Sequence, residues 1–203
     1  MTKFSLLLFA CISFIGTAFA QNEHHTENEN FTKISNDSLK AFIKNFEIIS
    51  YPFHFSDINK ENPIDIAIAE YFLDIEPDDG FGYEEFYFNF VFLEENFICI
   101  IYTRYYTPGA FGINNYFVNL ITMDYSGKII DAEDIGCFCN DTNMGNNDYY
   151  ATDLEVTIEK GEISVIKNNI HATLIDEDEE DSFEEITTED YSIIINSEGV
   201  INK

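Results

Sequence analysis

The run FYFNFVFL at residues 86–93 decides the fold. Phe86, Phe88, Phe90 and Phe92 recur at every second position, with Tyr87, Val91 and Leu93 between them. A period of two is that of an extended chain, whose successive side chains point to opposite faces. Both sets are apolar, so the expected strand is covered on both sides and lies centrally in a sheet. Phe97 to Tyr106 and Tyr116 to Met123 read the same way.

Further along the pattern becomes one-sided. Leu154, Val156 and Ile158 alternate with Glu155, Thr157 and Glu159, which describes one buried face and one wet, acidic face. Residues 162–175 and 185–195 continue this alternation, and an out-of-phase step near Lys167-Asn168-Asn169 predicts a bulge or tight turn. Ser126-Gly127, Lys160-Gly161 and Glu198-Gly199 stand between strand-like runs as hairpin turns.

Upstream of the turn Pro77-Asp78-Asp79-Gly80 the periodicity is helical. Asn36-Asp37-Ser38 caps a short helix whose Leu39, Phe42, Ile43 and Phe46 share a face. Pro52 indicates extended chain from Ile48 to Phe55. Asn62-Pro63 reads as a second helix opening, a cap followed by proline, with Ile64, Ala67, Ile68, Tyr71 and Phe72 at helical spacing. Short connections favour a meander. The expected fold is therefore mainly β (α+β): an antiparallel meander sheet, curling toward a half-barrel, with one or two N-terminal helices packed on one face. A β-sandwich without helical cover is the alternative.

Residues 1–20, MTKFSLLLFACISFIGTAFA, have the order of a secretory signal: Lys3, an apolar stretch, then Ala18-Phe19-Ala20 before Gln21. That stretch is shorter than the roughly 20 apolar residues that span a bilayer. The expected location is secreted or periplasmic, with cleavage after Ala20. Lipidation at Cys11 is the rival reading, which bulky Phe9 fits poorly. Residues 21–32 then read as a flexible polar leader, and 33–203 as a single acidic β-rich domain.

Without Lys3 the basic total falls from 10 to 9 against 38 acids, a formal charge of −29. Such a field repels nucleic acid and anionic lipid and favours cations or a basic protein. Asp176, Asp178, Glu180 and Asp181 in the run 176–181 are candidate Ca²⁺ ligands, although no glycine bends the run inward and it reads equally as a solvated loop. Asp141 and Asn143 begin a second candidate loop that departs from a calcium pattern at Gly145 and Thr152. Outside residues 1–20, Cys99, Cys137 and Cys139 are disulfide candidates; a bridge from Cys99 is easier than one between neighbours, and Cys99 also reads as a small core residue. Cys137, Cys139 and Met144, with His24 or His25, have the softness for Cu(I), but nothing in the sequence gathers them.

Catalytic signatures are missing from the sequence. No Gly-x-Ser-x-Gly elbow, His-Glu-x-x-His or phosphate-binding glycine loop occurs, and His54 and His171 sit among apolar residues. Tyr102, Tyr105, Tyr106 and Phe111 read as an aromatic lip or as packing, and the chain has no tryptophan to stack on sugars. The first functional expectation is a non-catalytic binding protein, of inhibitor or immunity type, for a basic partner. A calcium-stabilised surface domain and a carboxylate-dependent hydrolase are the alternatives, and no cofactor is otherwise expected.

Overall fold

The period of two that begins at residue 83 builds a single sheet that accounts for most of the chain. The computed structural model describes residues 29–58, 60–75, 83–107, 114–143, 148–173 and 183–203. In chain order these form a 3-10 turn (Glu29–Lys33), α1 (Asp37–Ile43), β1 (Glu47–Ile48), β2 (Phe53–Phe55), β3 (Pro63–Ile64) and α2 (Ile66–Leu73). The strands β4 (Tyr83–Leu93), β5 (Ile98–Thr107), β6 (Asn114–Met123) and β7 (Ile129–Asn143) follow, then β8 (Asp148–Glu159), β9 (Glu162–Thr173), β10 (Phe183–Ile195) and β11 (Ile201–Asn202). From β4 to β11 each strand pairs antiparallel with the next; β1 adds to β4 in parallel, so the sheet is mixed and open. The mainly β, α+β expectation is the observed class. Among the described residues no helix is long and apolar enough to cross a membrane.

The first helix forms where its cap predicts. The Asn36 side chain accepts from Ser38 N at 2.9 Å and Leu39 N at 3.2 Å, satisfying amides that the first turn leaves without partners. Leu39, Phe42 and Ile43 are buried against Phe86, Phe88, Val91, Ile98, Ile100 and Ile121 of the central strands. The 3-10 turn, which falls partly in the expected leader, docks too: Asn30 Nδ2 donates to Leu93 O at 2.9 Å and Phe31 packs on the same cluster.

The second helix differs from expectation. Pro63 and Ile64 pair with Tyr87 and Phe86 at the edge of β4, where proline's missing N–H costs no ladder bond. The helix opens only after Asp65, whose carboxylate accepts from Ala67 N at 3.0 Å. Its buried side is therefore Ala69 and Leu73, with Phe72 half-buried, while Ala67, Ile68 and Tyr71 face water.

The four phenylalanines of β4 do not share one face. The register with β5 slips between Phe88 and Phe90, so Asn89 is the extra residue of a β-bulge. Phe86 and Phe88 meet the helices, whereas Phe90 and Phe92 join a second cluster on the other side. Asn89 is buried, and its amide donates to Thr103 Oγ1 at 2.7 Å and Tyr87 O at 3.2 Å. That second cluster joins Phe90, Phe92, Cys99, Ile101, Val118 and Leu120 to the inward residues of β8, β9 and β10, with Phe55 of β2 among them. The sheet thus curls over itself, and β5 is apolar on both faces because it has a cover on each.

Lys167-Asn168-Asn169 brings neither bulge nor turn. These residues pair without a slip to Leu154, Asp153 and Thr152 on one side and to Glu189, Thr188 and Thr187 on the other. Polar side chains match across the strands: Thr188 Oγ1 donates to Asn168 Oδ1 at 2.9 Å, and Asn169 Nδ2 to Glu189 Oε1 at 3.1 Å. The break in apolar phase marks where the ribbon leaves the core.

All three glycine turns are present. In that between β6 and β7, Asp124 Oδ1 accepts from Ser126 N, Ser126 Oγ and Lys128 N at 2.8, 2.6 and 3.0 Å, and Gly127 takes φ +92°. Burial pushes the Asp124 carboxyl up, but those hydrogen bonds outweigh it and hold the group below its ordinary value of 3.8. A carboxyl lowered by folding contributes stability that is complete above 3.8 and fades as pH falls through its lower folded value. Asp124→Ala is therefore expected to cost about 1–2 kcal/mol at pH 7. In urea titrations repeated at decreasing pH, the difference from wild type should shrink as the carboxyl protonates; a difference constant with pH would disprove the turn's role.

Candidate functional site

The outer face of β8–β10 follows from register. Glu155, Ile166 and Asp190 lie side by side across the three strands, as do Glu159, Glu162 and Ile194, and Asp153, Asn168 and Thr188. The opposite face carries Leu154, Val156, Ile158, Ile163, Val165 and Ile193 into the core. Ile166, Ile186 and Ile194 remain 42, 57 and 43% exposed among exposed Asp153, Glu155, Glu159 and Asp190. His54 of β2 joins this face opposite Thr157, with Nδ1 3.2 Å from Thr157 Oγ1. Among the described residues, β11 pairs only with Ile194 and Ile195 on β10's far edge, and residues 185–190 are an exposed strand edge without a ladder partner there. The alternation at Leu154–Glu159 indicated the acidic face, but the exposed isoleucines were missed. Their signal was the apolar residues Ile166, Ile186 and Ile194 falling out of phase with the inward set.

Cations elsewhere are largely committed. Arg104, the chain's sole arginine, pairs with Glu84 of β4; Lys203 holds Glu133 at 2.8 Å, and Lys167 lies 3.5 Å from Glu189. Lys60 sits 4.4 Å over the ring of Tyr116, which in turn lies 4.7 Å from that of Tyr105. Tyr83 and Tyr87 both donate to the carboxylate of Glu85. Burial, and then those contacts with Glu85, push the Tyr87 phenol up, so it is neutral at physiological pH. Of the residues read as an aromatic lip, Tyr102 is buried against the helices and its phenol is pushed up to about 12, chiefly by burial. Tyr105 and Tyr106 pair with Tyr116 and Asn115, and Phe111 lies outside the described residues.

The second feature is a cleft of about 310 Å³ beside the bulge of β7, where Ile135 is the extra residue between the pairs Val118–Gly136 and Asn119–Asp134. Its walls include Asp134, Cys137, Lys167, Glu189, Tyr191 and Lys203. Tyr191 donates its hydroxyl to Ile135 O, and Lys203 Nζ donates to Asp134 O at 3.0 Å. Asp134 is exposed as a residue, yet desolvation against the wall raises its carboxyl above the ordinary value, against a lowering hydrogen bond from Gly136 N and the nearby Lys203 ammonium.

Cys137 and Cys139 form a disulfide with their α-carbons 5.3 Å apart, inside the roughly 4.4–6.8 Å that bridging requires. Cys99 is not a bridging partner. It is a buried free thiol among Phe92, Ile101 and Leu120, and burial holds it protonated. The loop closed by the bridge holds three residues, which on the chain-entropy relation is worth about 1.6 kcal/mol, against about 3 for a fifteen-residue loop.

Asp141 and Asn143 lie in the last part of β7, paired with Tyr150 and Asp148, so their backbone belongs to a ladder rather than a coiled loop. Asp176, Asp178, Glu180, Asp181, Met144, His24 and His25 lie outside the described residues. Among the described residues, no group of three or more His, Cys, Asp or Glu side chains converges on a point where an ion could sit. His171 stacks flat on Tyr150 with ring centres 4.4 Å apart. Comparison with known protein families, with characterised proteins and with solved structures finds no match to this chain.

Proposed function

We propose that this chain is an exported, non-catalytic binding protein that captures a basic protein on the outer face of β8–β10. The supporting observation is the exposure of Ile166, Ile186 and Ile194 among Asp153, Glu155, Glu159 and Asp190 on one three-stranded surface. Apolar residues at the centre of a contact supply affinity once water is excluded. Carboxylates around them steer a cationic partner and speed its capture, more at low salt than at high. An inhibitor or immunity protein masking a basic enzyme or toxin is the concrete form, with the edge of β10 offering backbone groups to an added strand.

Reversal of the face tests this reading. Wild-type chain immobilised at low salt is expected to retain a basic protein from its own compartment and to release it at high salt. Glu155→Lys with Asp190→Lys should lower the association rate by about ten-fold or more. A control reversal of Glu70, on exposed α2, should leave it unchanged. Equal capture by the face variant and wild type would refute the assignment, as would recovery of no basic protein. No cofactor enters this reading, so chelator is expected to leave Tm unchanged. A rise of several degrees with Ca²⁺ would instead favour the calcium-stabilised alternative at 176–181.

A further inference from the structure

We infer that Cys137–Cys139 is a thiol–disulfide exchange site that oxidises a cysteine pair of a partner protein. The disulfide joins residues two apart in one strand, where it constrains little of the chain, and both cysteines are half-exposed. Cys137 opens onto the cleft beside the β7 bulge, whose volume of about 310 Å³ admits a cysteine side chain. Lys167 and Lys203 line the same cleft, with Glu189 3.5 Å from the first and Glu133 2.8 Å from the second, in a chain with only 10 basic residues and a net charge of −28. Ammonium groups favour the thiolate over the thiol, and here they share the cleft with Cys137, the sulfur released as a thiolate in the second step. Asp134, desolvated in the same wall, is placed to exchange the accompanying proton. The third thiol, Cys99, is buried in the core and protonated, so it does not compete.

The electrons balance without a further reagent. A thiolate of the partner attacks Cys137 Sγ, and the Cys137–Cys139 bond breaks. Cys139 leaves with the electron pair and is protonated. The partner's second thiolate then attacks its own sulfur in the mixed disulfide, releasing Cys137 as a thiolate that takes up the second of the two protons given up by the partner's thiols. The partner dithiol becomes a disulfide, and the cysteine pair of this chain takes up two electrons and two protons.

The oxidised full-length chain, mixed at pH 7 with a synthetic peptide carrying two cysteines, tests this by mass and thiol counting. The native protein is expected to oxidise one peptide per chain, with Cys99 unmodified. Cys139→Ser should trap a mixed disulfide at Cys137 when given the oxidised peptide, about ten-fold faster than Cys137→Ser forms one at Cys139. Lys167→Gln with Lys203→Gln should slow wild-type exchange by about ten-fold while circular dichroism stays unchanged. A pair that is reduced only after denaturation would overturn the assignment. So would equal rates in the two serine variants, or lysine variants that react like wild type.

Discussion

Replacing Phe88 by alanine is expected to destabilise the folded chain by about 3–5 kcal/mol. Phe88 lies edge-on to Phe46 at 4.8 Å and tilted against Phe42 at 5.6 Å, and Phe42 stacks on Phe72 at 4.5 Å. One ring on β4 thus holds α1 and Phe46 beyond it to the sheet, and Phe42 carries the stack on to α2. Its removal leaves a void that the helices cannot fill, because Leu39 and Ile43 are already in full contact elsewhere and α1 is held by its Asn36 cap. Tyr71→Ala on α2 supplies the contrast: the ring is 73% exposed, so its loss should change stability by no more than about 0.5 kcal/mol. Urea denaturation of the two variants measures both. A cost under 1 kcal/mol for Phe88→Ala would mean that the helices do not rest on this face.

Gly136→Ala is expected to cost about 2–4 kcal/mol, from two separable causes. Gly136 sits at φ +148°, where a side chain is strained whatever its surroundings. An added Cβ would also lie 3.0 and 3.1 Å from the methyl carbons of Leu154 and 3.3 Å from the Tyr191 hydroxyl. Leu154→Ala in the same chain removes the collision and leaves the strain. The double variant should therefore be more stable than the sum of the two single losses by about 1 kcal/mol or more, a coupling that strain alone would not produce. Additive losses would assign the whole cost to the backbone and remove Leu154 from contact with the bulge.

How much of this was readable in advance follows from how local each cause is. The Asn36 cap and the Leu39, Phe42, Ile43 stripe are set within two turns of chain, and the structure has them where the sequence puts them. The same holds for the alternation at Leu154–Glu159 and for the three glycine turns. Asn89 was the exception inside the deciding run. A polar residue among aromatics marks a possible bulge, but only its pairing with β5, fourteen residues away at Thr103, turns Phe90 and Phe92 to the far side. Pro63 had the chemistry of a helix start, and the edge of β4 claimed it first. Lys167-Asn168-Asn169 looked irregular because its partners, the side chains of Thr152, Thr188 and Glu189 on neighbouring strands, are distant in sequence. Of the surface now assigned to binding, the acidic half was legible and the isoleucines were not. The cleft at Cys137 left no trace at all, since Asp134, Lys167, Tyr191 and Lys203 meet only through the β7 bulge and the curl of the sheet.

The doubly covered meander governs the order in which the molecule can come together. A chain completed as far as Met123 contains α1 and α2 to shield one side of β4–β6, while Phe90, Phe92, Ile101, Val118 and Leu120 still face water. Tyr51, Phe53 and Phe55 cover part of Phe90 and Phe92, but β2 itself pairs with β8, and the rest of the shield is made by β8, β9 and β10, so the interior is dry only once those strands are in place. Folding is thereby deferred until β10 has been made and becomes a single cooperative event, and a nick that frees β8–β10 should release the helices as well.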